Sequence, residues 1–247
     1  MSKIAILGNA DKERIKSESW HDKDRTLSCI PHPCRILYLG RPGCGKTNLA
    51  KNLFLQHQLT KNPFKELIIV SPDTSDEWLD AQPTMVINDL PGAELFDVNK
   101  KTLLVIDDYE LTGLNQSQRK KLSTLFRYVS SHCNVSIYMS FQSALDCPNI
   151  ARKCCNVFCL WAGSSKLERS LICNRVGLNK GMLDHIFKNH CTDDFDSVMI
   201  DRSIGSPAMI RKNVYEPLDE EVLETEMKKM RVKELRDIRE EAKLSKE

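Results

Sequence analysis

One octapeptide constrains this chain more than any other stretch, because it places glycines, a lysine and a hydroxyl at fixed offsets. Its residues are Gly40, Arg41, Pro42, Gly43, Cys44, Gly45, Lys46 and Thr47. The apolar run 36–39 precedes it, and apolar residues at helical spacing follow within 48–58. A strand, a glycine loop and a helix in this order are typical of a loop that cradles nucleotide phosphates.

Each part of this loop has a role that its residue type explains. Glycines let the backbone turn tightly, so that its N–H groups point at phosphate oxygens. The start of the following helix adds partial positive charge. Lys46 is expected to reach the β- and γ-phosphates, and the Thr47 hydroxyl is expected to bind Mg²⁺. The sequence therefore predicts a nucleoside triphosphate site, with ATP and Mg²⁺ as its ligands.

Composition limits the class of protein without selecting one. The 247 residues carry a formal net charge of +2, with 41% hydrophobic and 28% charged residues, as in ordinary soluble domains. Because the net charge is small, any contact with nucleic acid must come from a local patch. The apolar runs are all shorter than a membrane span, so we expect no membrane partner.

The ten cysteines admit alternatives to reduced, buried thiols. A disulfide scaffold is disfavoured, because the chain is too long and too rich in core residues for that class. A zinc site would draw on the cysteines of 147–159, with His132 and Cys133 upstream. The sequence lacks a CxxC pair there, so small buried side chains are the favoured interpretation. Reduced thiols indicate the cytosol, the nucleus or a virion interior.

Strands and helices alternate after a polar, charged arm at 1–30. The predicted strands are Arg35–Leu39, Glu66–Ser71, Thr84–Ile87, Thr102–Asp107, Val135–Phe141, Cys155–Trp161 and Ser197–Asp201. The predicted helices are Lys46–Gln58, Asn115–Ser131, Lys166–Arg175 and Lys180–Asn189. Continuous apolar strands between helices favour an α/β domain over 31–217, with a mostly parallel sheet covered on both faces.

The segment 218–247 has a different character. Its charges predict a helix that is acidic at its start and basic later, with a narrow apolar stripe. Two interpretations remain open for this helix. It either lies solvated on the domain, or it contacts a neighbouring subunit or a capsid protein.

Two carboxylates follow the apolar strand that begins at residue 102. Asp107 is expected to hold Mg²⁺ close to Thr47. Asp108 is expected to orient and deprotonate the attacking water. Because Asp108 is one methylene shorter than glutamate, Glu110 is a second candidate for this base. Gln142, at or just past the end of the next strand, is expected between the acids and the γ-phosphate.

Arginine is the residue type expected to complete such a site. Arg152 is our first candidate for a finger that stabilises transition-state charge in a neighbouring subunit's site. Its competitors are Arg127, Arg169 and Arg175. The basic run 119–121 is a candidate contact for the DNA backbone, and an ordinary exposed helix face is the alternative.

Taken in order, these motifs resemble those of a known group. The glycine loop, the acids at 106–108, the strand tip 140–143 and the segment 152–158 follow one another as in viral genome-packaging ATPases. These belong to the FtsK–HerA superfamily, in the branch found in poxviruses, other large DNA viruses, virophages and polinton-like elements. The segments 195–201 and 211–213 look like the C-terminal hairpin of that branch.

The resemblance covers residues 30 to 215 and implies an additional-strand P-loop fold like that of RecA and FtsK–HerA proteins. It further implies a homo-oligomeric ring that hydrolyses ATP and drives double-stranded DNA into a preformed capsid. Such a protein would work in the host cytoplasm or nucleus where virus assembles, or in the virion. Two other functions remain open: a small-molecule or nucleoside kinase, and a nucleotide-binding assembly scaffold with negligible turnover.

Overall fold

The computed structural model describes residues 30–71, 76–107, 109–111, 113–203 and 209–244. The strands in these ranges are β1 (Arg35–Leu39), β2 (Glu66–Val70), β3 (Met85–Ile87), β4 (Thr102–Ile106), β5 (Val135–Phe141), β6 (Val157–Trp161), β7 (Ser197–Asp201), β8 (Ile210–Lys212) and β9 (Glu216–Leu218). The helices are α1 (Lys46–Gln58), α2 (Gln116–Thr124), α3 (Asn149–Cys154), α4 (Lys166–Val176), α5 (Met182–Asn189) and α6 (Glu220–Leu244). The predicted arm at 1–30 lies outside the described residues except for Ile30.

All nine described strands belong to one sheet, in the order β3-β2-β4-β5-β1-β6-β7-β8-β9. The strands from β3 to β6 are parallel, and β7, β8 and β9 continue the sheet antiparallel. The predicted mostly parallel α/β fold is therefore confirmed. β5 lies between β1 and β4, which is the additional strand that the resemblance implied. Its insertion separates the glycine loop from Asp107 by one strand.

Residues alternate between the two faces of the sheet along each central strand. On β1, Leu37 and Leu39 pack into one hydrophobic cluster, whereas Ile36 and Tyr38 pack into the other. The first cluster lies under α2, α3, α4 and α5, and the second lies under α1. Since both faces are covered, the central parallel strands consist mostly of apolar residues, as the sequence indicated.

Some element boundaries differ from the predictions for local reasons. β6 begins at Val157 rather than Cys155. The residue before it, Asn156, is outside the strand, and its side-chain oxygen accepts a hydrogen bond from the Arg35 backbone N–H. α5 begins at Met182, after Gly181 with φ of 83°. The helix expected over 115–131 contains a π-helical segment, Leu125–Val129, followed by a last turn to His132. Such a wide turn changes the helical register.

The C-terminal helix starts as part of the domain. Asp219 accepts hydrogen bonds from the backbone N–H groups of Glu221 and Val222, which caps the helix. Leu223 is buried in the same cluster as α5. Further along, apolar side chains such as Leu235 are exposed. Within the described ranges, no helix is both long enough and apolar enough to cross a bilayer.

Two buried histidines pack near the end of α1. The His57 ring lies 4.6 Å from the Phe64 ring, centroid to centroid, and within the described residues neither of its ring nitrogens has a hydrogen-bond partner. Burial and the nearby Lys101 charge lower the pKa of His57 to about 3. Burial, then Lys101, also holds the pKa of His32 well below its ordinary value, against a hydrogen bond with Asn134. Both rings are therefore neutral in the folded protein at neutral pH.

These histidines predict a loss of stability in mild acid. Below pH 6.5 the unfolded chain binds protons that the folded chain does not, so stability falls as pH drops from 6.5 toward the folded pKa. Between pH 7.5 and 5.5, urea unfolding should show a loss on the order of 1 kcal/mol from His57. His32 should add a loss in the same direction. Glu168, whose pKa is about 2, titrates in a lower window. In a His57→Leu variant the loss should be smaller, and an unchanged pH dependence would contradict this assignment.

Candidate nucleotide-binding site

The glycine loop leaves β1 at the carboxyl edge of the parallel strands. Gly43 and Gly45 have φ of 74° and 98°, in the left-handed region that favours glycine. Gly40 is required for a different reason, since a β-carbon there would lie 2.5 Å from the Cys44 sulfur and 3.2 Å from Trp161. These backbone conformations and close approaches explain the glycine spacing that the sequence shows.

α1 starts directly from this loop, and its first turn has the properties of an anion site. Its N-cap is Gly45, which has no side chain to cap the first N–H groups. The first turn contains no acidic residue that would compete for them. N–H groups left free at a helix start, together with the helix dipole, favour a bound phosphate.

The Lys46 side chain is held against the backbone of the glycine loop. It is buried, and its Nζ donates hydrogen bonds to the carbonyl oxygens of Gly40 and Arg41, at 2.8 and 3.1 Å. An ammonium group has three N–H donors. Two of them therefore hold the side chain against the loop, while its charge remains at the phosphate-binding position.

Asp107 is the centre of a hydrogen-bonded group under the loop. It follows β4 directly and is buried. Its Oδ2 accepts from the Thr47 hydroxyl at 3.1 Å and from the Trp78 indole N–H at 2.9 Å. Its Oδ1 accepts from the Ser140 hydroxyl. The aspartate is thus held in one orientation, with Thr47 beside it.

The oxygen atoms of Thr47 and Asp107 suit a hard divalent cation. Mg²⁺ prefers oxygen ligands and is usually held by one or two protein groups together with substrate phosphates. Here a hydroxyl and a carboxylate oxygen lie 3.1 Å apart, next to the phosphate loop. The residues present therefore fit the expected ion.

Sequence reasoning did not assign the two other donors to Asp107. Trp78 lies in a short 3₁₀ segment, Asp76–Ala81, which has no periodic pattern or motif. Lys51 of α1 holds this segment in place, because its Nζ donates hydrogen bonds to the Glu77 carbonyl oxygen at 2.8 Å and to the Asp80 carboxylate at 2.6 Å. Ser140 does have a sequence signal, since it is the first residue of the strand tip 140–143. Hydrogen bonds to a metal-binding carboxylate orient it and tune its affinity.

An open cavity of about 490 Å³ lies over the loop. It is lined by Pro42, Gly43, Gly45, Lys46, Thr47, Asn48, Lys51, Glu77 and Gln142. Gln142 reaches it from the residue after β5, because β5 is the neighbour of β1. The structure therefore brings Gln142 to the phosphate loop, on the side where Asp107 lies.

The two candidates for the catalytic base differ in position. Asp108 lies outside the described residues. Glu110 lines a second cavity, of about 470 Å³, which shares Gln142 with the first. Glu110 does not line the cavity over the phosphate loop. The assignment of the base to Asp108 stays a prediction.

The candidate arginines all lie away from the cavity over the loop. Arg152 is on α3, half-buried, and its guanidinium donates to the Ala144 carbonyl at 2.9 Å. Arg169 pairs with Asp184. Arg175 donates to the Arg152 carbonyl at 3.0 Å, and Arg127 is exposed. A role for Arg152 in a neighbouring subunit stays a prediction.

Seven of the nine cysteines in the described ranges are buried, and Cys44 and Cys154 are half-buried. Burial raises the pKa of Cys147 to about 12, and burial also raises that of Cys155 well above its ordinary value. Among the described residues, three potential metal ligands converge elsewhere, at His185, His190 and Glu226. There the Glu226 carboxylate accepts hydrogen bonds from Nε2 of His185 at 2.9 Å and from Nε2 of His190 at 3.0 Å. These hydrogen bonds join the C-terminal end of α5 to α6.

The fold is that of an α/β P-loop NTPase with an additional strand. No protein-family model and no curated protein matches the sequence. Among solved structures, the chain is similar to B204, the DNA-packaging ATPase from Sulfolobus Turreted Icosahedral Virus. That comparison has a TM-score of 0.54 and 14% identity, and it covers 76% of this chain and 98% of B204.

Two further structures are similar at lower scores. The genome packaging NTPase B204 from Sulfolobus turreted icosahedral virus 2, in complex with ATP-gammaS, has a TM-score of 0.49 and 14% identity, covering 76% of this chain and 98% of that one. The cytoplasmic domain of the Type VII secretion ATPase EccC from Thermomonospora curvata has a TM-score of 0.48 and 16% identity, covering 70% and 23%. At these identities the likeness concerns the fold alone.

Proposed function

We propose that this chain is an ATP-hydrolysing subunit of a motor that moves double-stranded DNA into a viral capsid. The observation that carries the proposal is the convergence of Lys46, Thr47, Asp107 and Gln142 at one edge of a P-loop sheet. The fold of B204, which is a DNA-packaging ATPase, supports the same conclusion. The motif order along the sequence supports the viral packaging branch of the FtsK–HerA superfamily.

Each residue of the site has a separate role in the transfer of the γ-phosphoryl group to water. The α1 N–H groups and Lys46 bind the phosphates and neutralise charge that develops on the transferred group. Thr47 and Asp107 would hold Mg²⁺, which supplies further charge neutralisation when bound. Asp108 would take the proton of the attacking water. Gln142, which lines the cavity over the loop, would lie between the acids and the γ-phosphate and sense whether that phosphate is present.

The motor function requires partners that act through other surfaces. We assign Arg152 as the finger of a neighbouring subunit in a ring, because catalysis of this kind gains 10³–10⁵-fold from such a residue. Arg119 and Lys120 are exposed on α2 and are assigned to the DNA backbone. The exposed residues 231–238 of α6 are assigned to a neighbouring subunit or capsid protein. The protein would work at sites of virus assembly in the host cytoplasm or nucleus.

The experiment that tests this function is ATP hydrolysis with and without duplex DNA. Turnover should rise when DNA is added, and the rise should fall steeply with salt because phosphate contacts release counterions. An Arg119→Glu, Lys120→Glu double variant should lose the stimulation and keep basal turnover. The matched control, Lys228→Glu on α6, should keep both.

The other two functions give different results in the same assay. A kinase would transfer phosphate to a small acceptor and ignore DNA. A scaffold would assemble on binding nucleotide with negligible turnover. Turnover that is indifferent to DNA at every salt concentration would contradict the motor.

A further inference from the structure

Phe195 is a large aromatic side chain left in solvent beside the phosphate loop. Its side chain is 71% exposed, and every other phenylalanine in the described ranges is buried or half-buried. Its Cδ1 lies 3.9 Å from the position that a β-carbon on Gly45 would occupy. The ring therefore borders the residue that starts α1, while most of its surface remains uncovered.

The backbone around Phe195 is held firmly. The next residue, Asp196, is buried and accepts hydrogen bonds from the Asn213 side chain at 2.7 Å and the Asp193 backbone N–H at 3.1 Å. Lys212 lies 3.1 Å from the same carboxylate. Asp196 therefore fixes the turn before β7, and Phe195 projects from a fixed point.

The sheet order defines which end of a nucleotide would meet this ring. Asp107 and Gln142 follow β4 and β5, which lie on one side of β1. Phe195 precedes β7, which lies on the other side of β1, beyond β6. β7 is antiparallel, so its first residue pairs with Trp161 at the carboxyl end of β6. Phe195 is thus at the same edge as the loop, on the flank opposite the γ-phosphate residues.

We infer that Phe195 stacks against the base of the nucleotide whose phosphates the loop binds. This inference rests on the proposed function, because it assumes a nucleoside triphosphate at the loop. With the terminal phosphate toward Asp107 and Gln142, the base end extends toward the β7 flank. An aromatic face stacks on any base, and the larger purine ring offers it more area. The ligand class is a purine nucleoside triphosphate.

The test compares binding of ATP with binding of inorganic tripolyphosphate, which has phosphates but no base. In a Phe195→Ala variant the Kd for ATP should rise roughly tenfold, and the Kd for tripolyphosphate should stay unchanged. Phe195→Tyr, which keeps an aromatic face, should restore ATP binding. Tyr128→Ala removes an exposed aromatic residue on the helical segment Leu125–Val129 and should change neither constant.

Kinetics give a second readout that a merely structural role would not produce. If Phe195 binds the base equally in the ground and transition states, KM for ATP should rise about tenfold while kcat stays within about twofold. Equal loss of ATP and tripolyphosphate binding, or no loss of either, would overturn the stacking role. Failure of the motor function is read separately, from hydrolysis that ignores duplex DNA, since the binding comparison requires no turnover.

Discussion

Replacing Lys46 with alanine is expected to reduce ATP turnover by at least 10²–10³-fold, on the order of what is lost with one aligned charge-stabilising donor. The ammonium group lies at the phosphate loop, held by the carbonyl oxygens of Gly40 and Arg41. Its removal takes away the main protein cation at the β- and γ-phosphates. Steady-state hydrolysis at saturating ATP and Mg²⁺ measures the loss.

Two further variants separate charge from geometry in this prediction. Lys46→Arg keeps the positive charge, but its planar fork cannot reproduce both carbonyl contacts, so turnover should also fall strongly. Lys100→Ala removes a lysine that pairs with Glu66 at an exposed position and should leave turnover unchanged. Thermal unfolding should confirm that each variant is folded. Near-normal turnover in Lys46→Ala would remove the phosphate site from this loop.

Replacing Asp107 with asparagine is expected to abolish most hydrolysis while the fold survives. The amide has nearly the same shape but lacks the charge that a divalent cation requires. Half-maximal activity should therefore need a higher Mg²⁺ concentration, and maximal turnover should fall by on the order of 10²-fold or more. Titration of Mg²⁺ at fixed ATP measures both effects.

Alanine at the same position should act on stability as well. Trp78 donates to Asp107 in a buried region, and a buried donor left without an acceptor costs about 1–3 kcal/mol. Asp107→Ala should therefore unfold at lower urea concentration than Asp107→Asn. Asp97→Asn, at an exposed aspartate, serves as the control and should change neither stability nor turnover. Full activity in Asp107→Asn would exclude the metal-binding role.

Local chemistry made a large part of the fold predictable. The apolar runs of β1, β4 and β5 are buried on both faces, so that their composition alone indicates central parallel strands. The glycine loop is similarly local, since its left-handed backbone at Gly43 and Gly45 depends on residue type. The position of Asp107 at the end of β4 followed from the apolar run before it.

Contacts between segments distant in the sequence were not predictable in the same way. Trp78 donates to Asp107 across 29 positions, from a 3₁₀ segment whose pattern carries no periodicity. The π-helical segment Leu125–Val129 buries Leu125, Phe126 and Val129 in the cluster that packs on the sheet. Neither feature can be predicted from the local sequence, because the residues that each one contacts lie far away along the chain.

By itself, the sequence determined that a phosphate-binding loop joins a buried strand to a helix, because backbone freedom and apolar periodicity are properties of neighbouring residues. Only the tertiary structure decided which strands lie side by side. It placed β5 between β1 and β4, which brings Gln142 to the loop. It also placed β7 on the opposite flank, which brings Phe195 to Gly45. Strand order depends on how all the apolar faces are buried together, and no single segment of the chain encodes that choice.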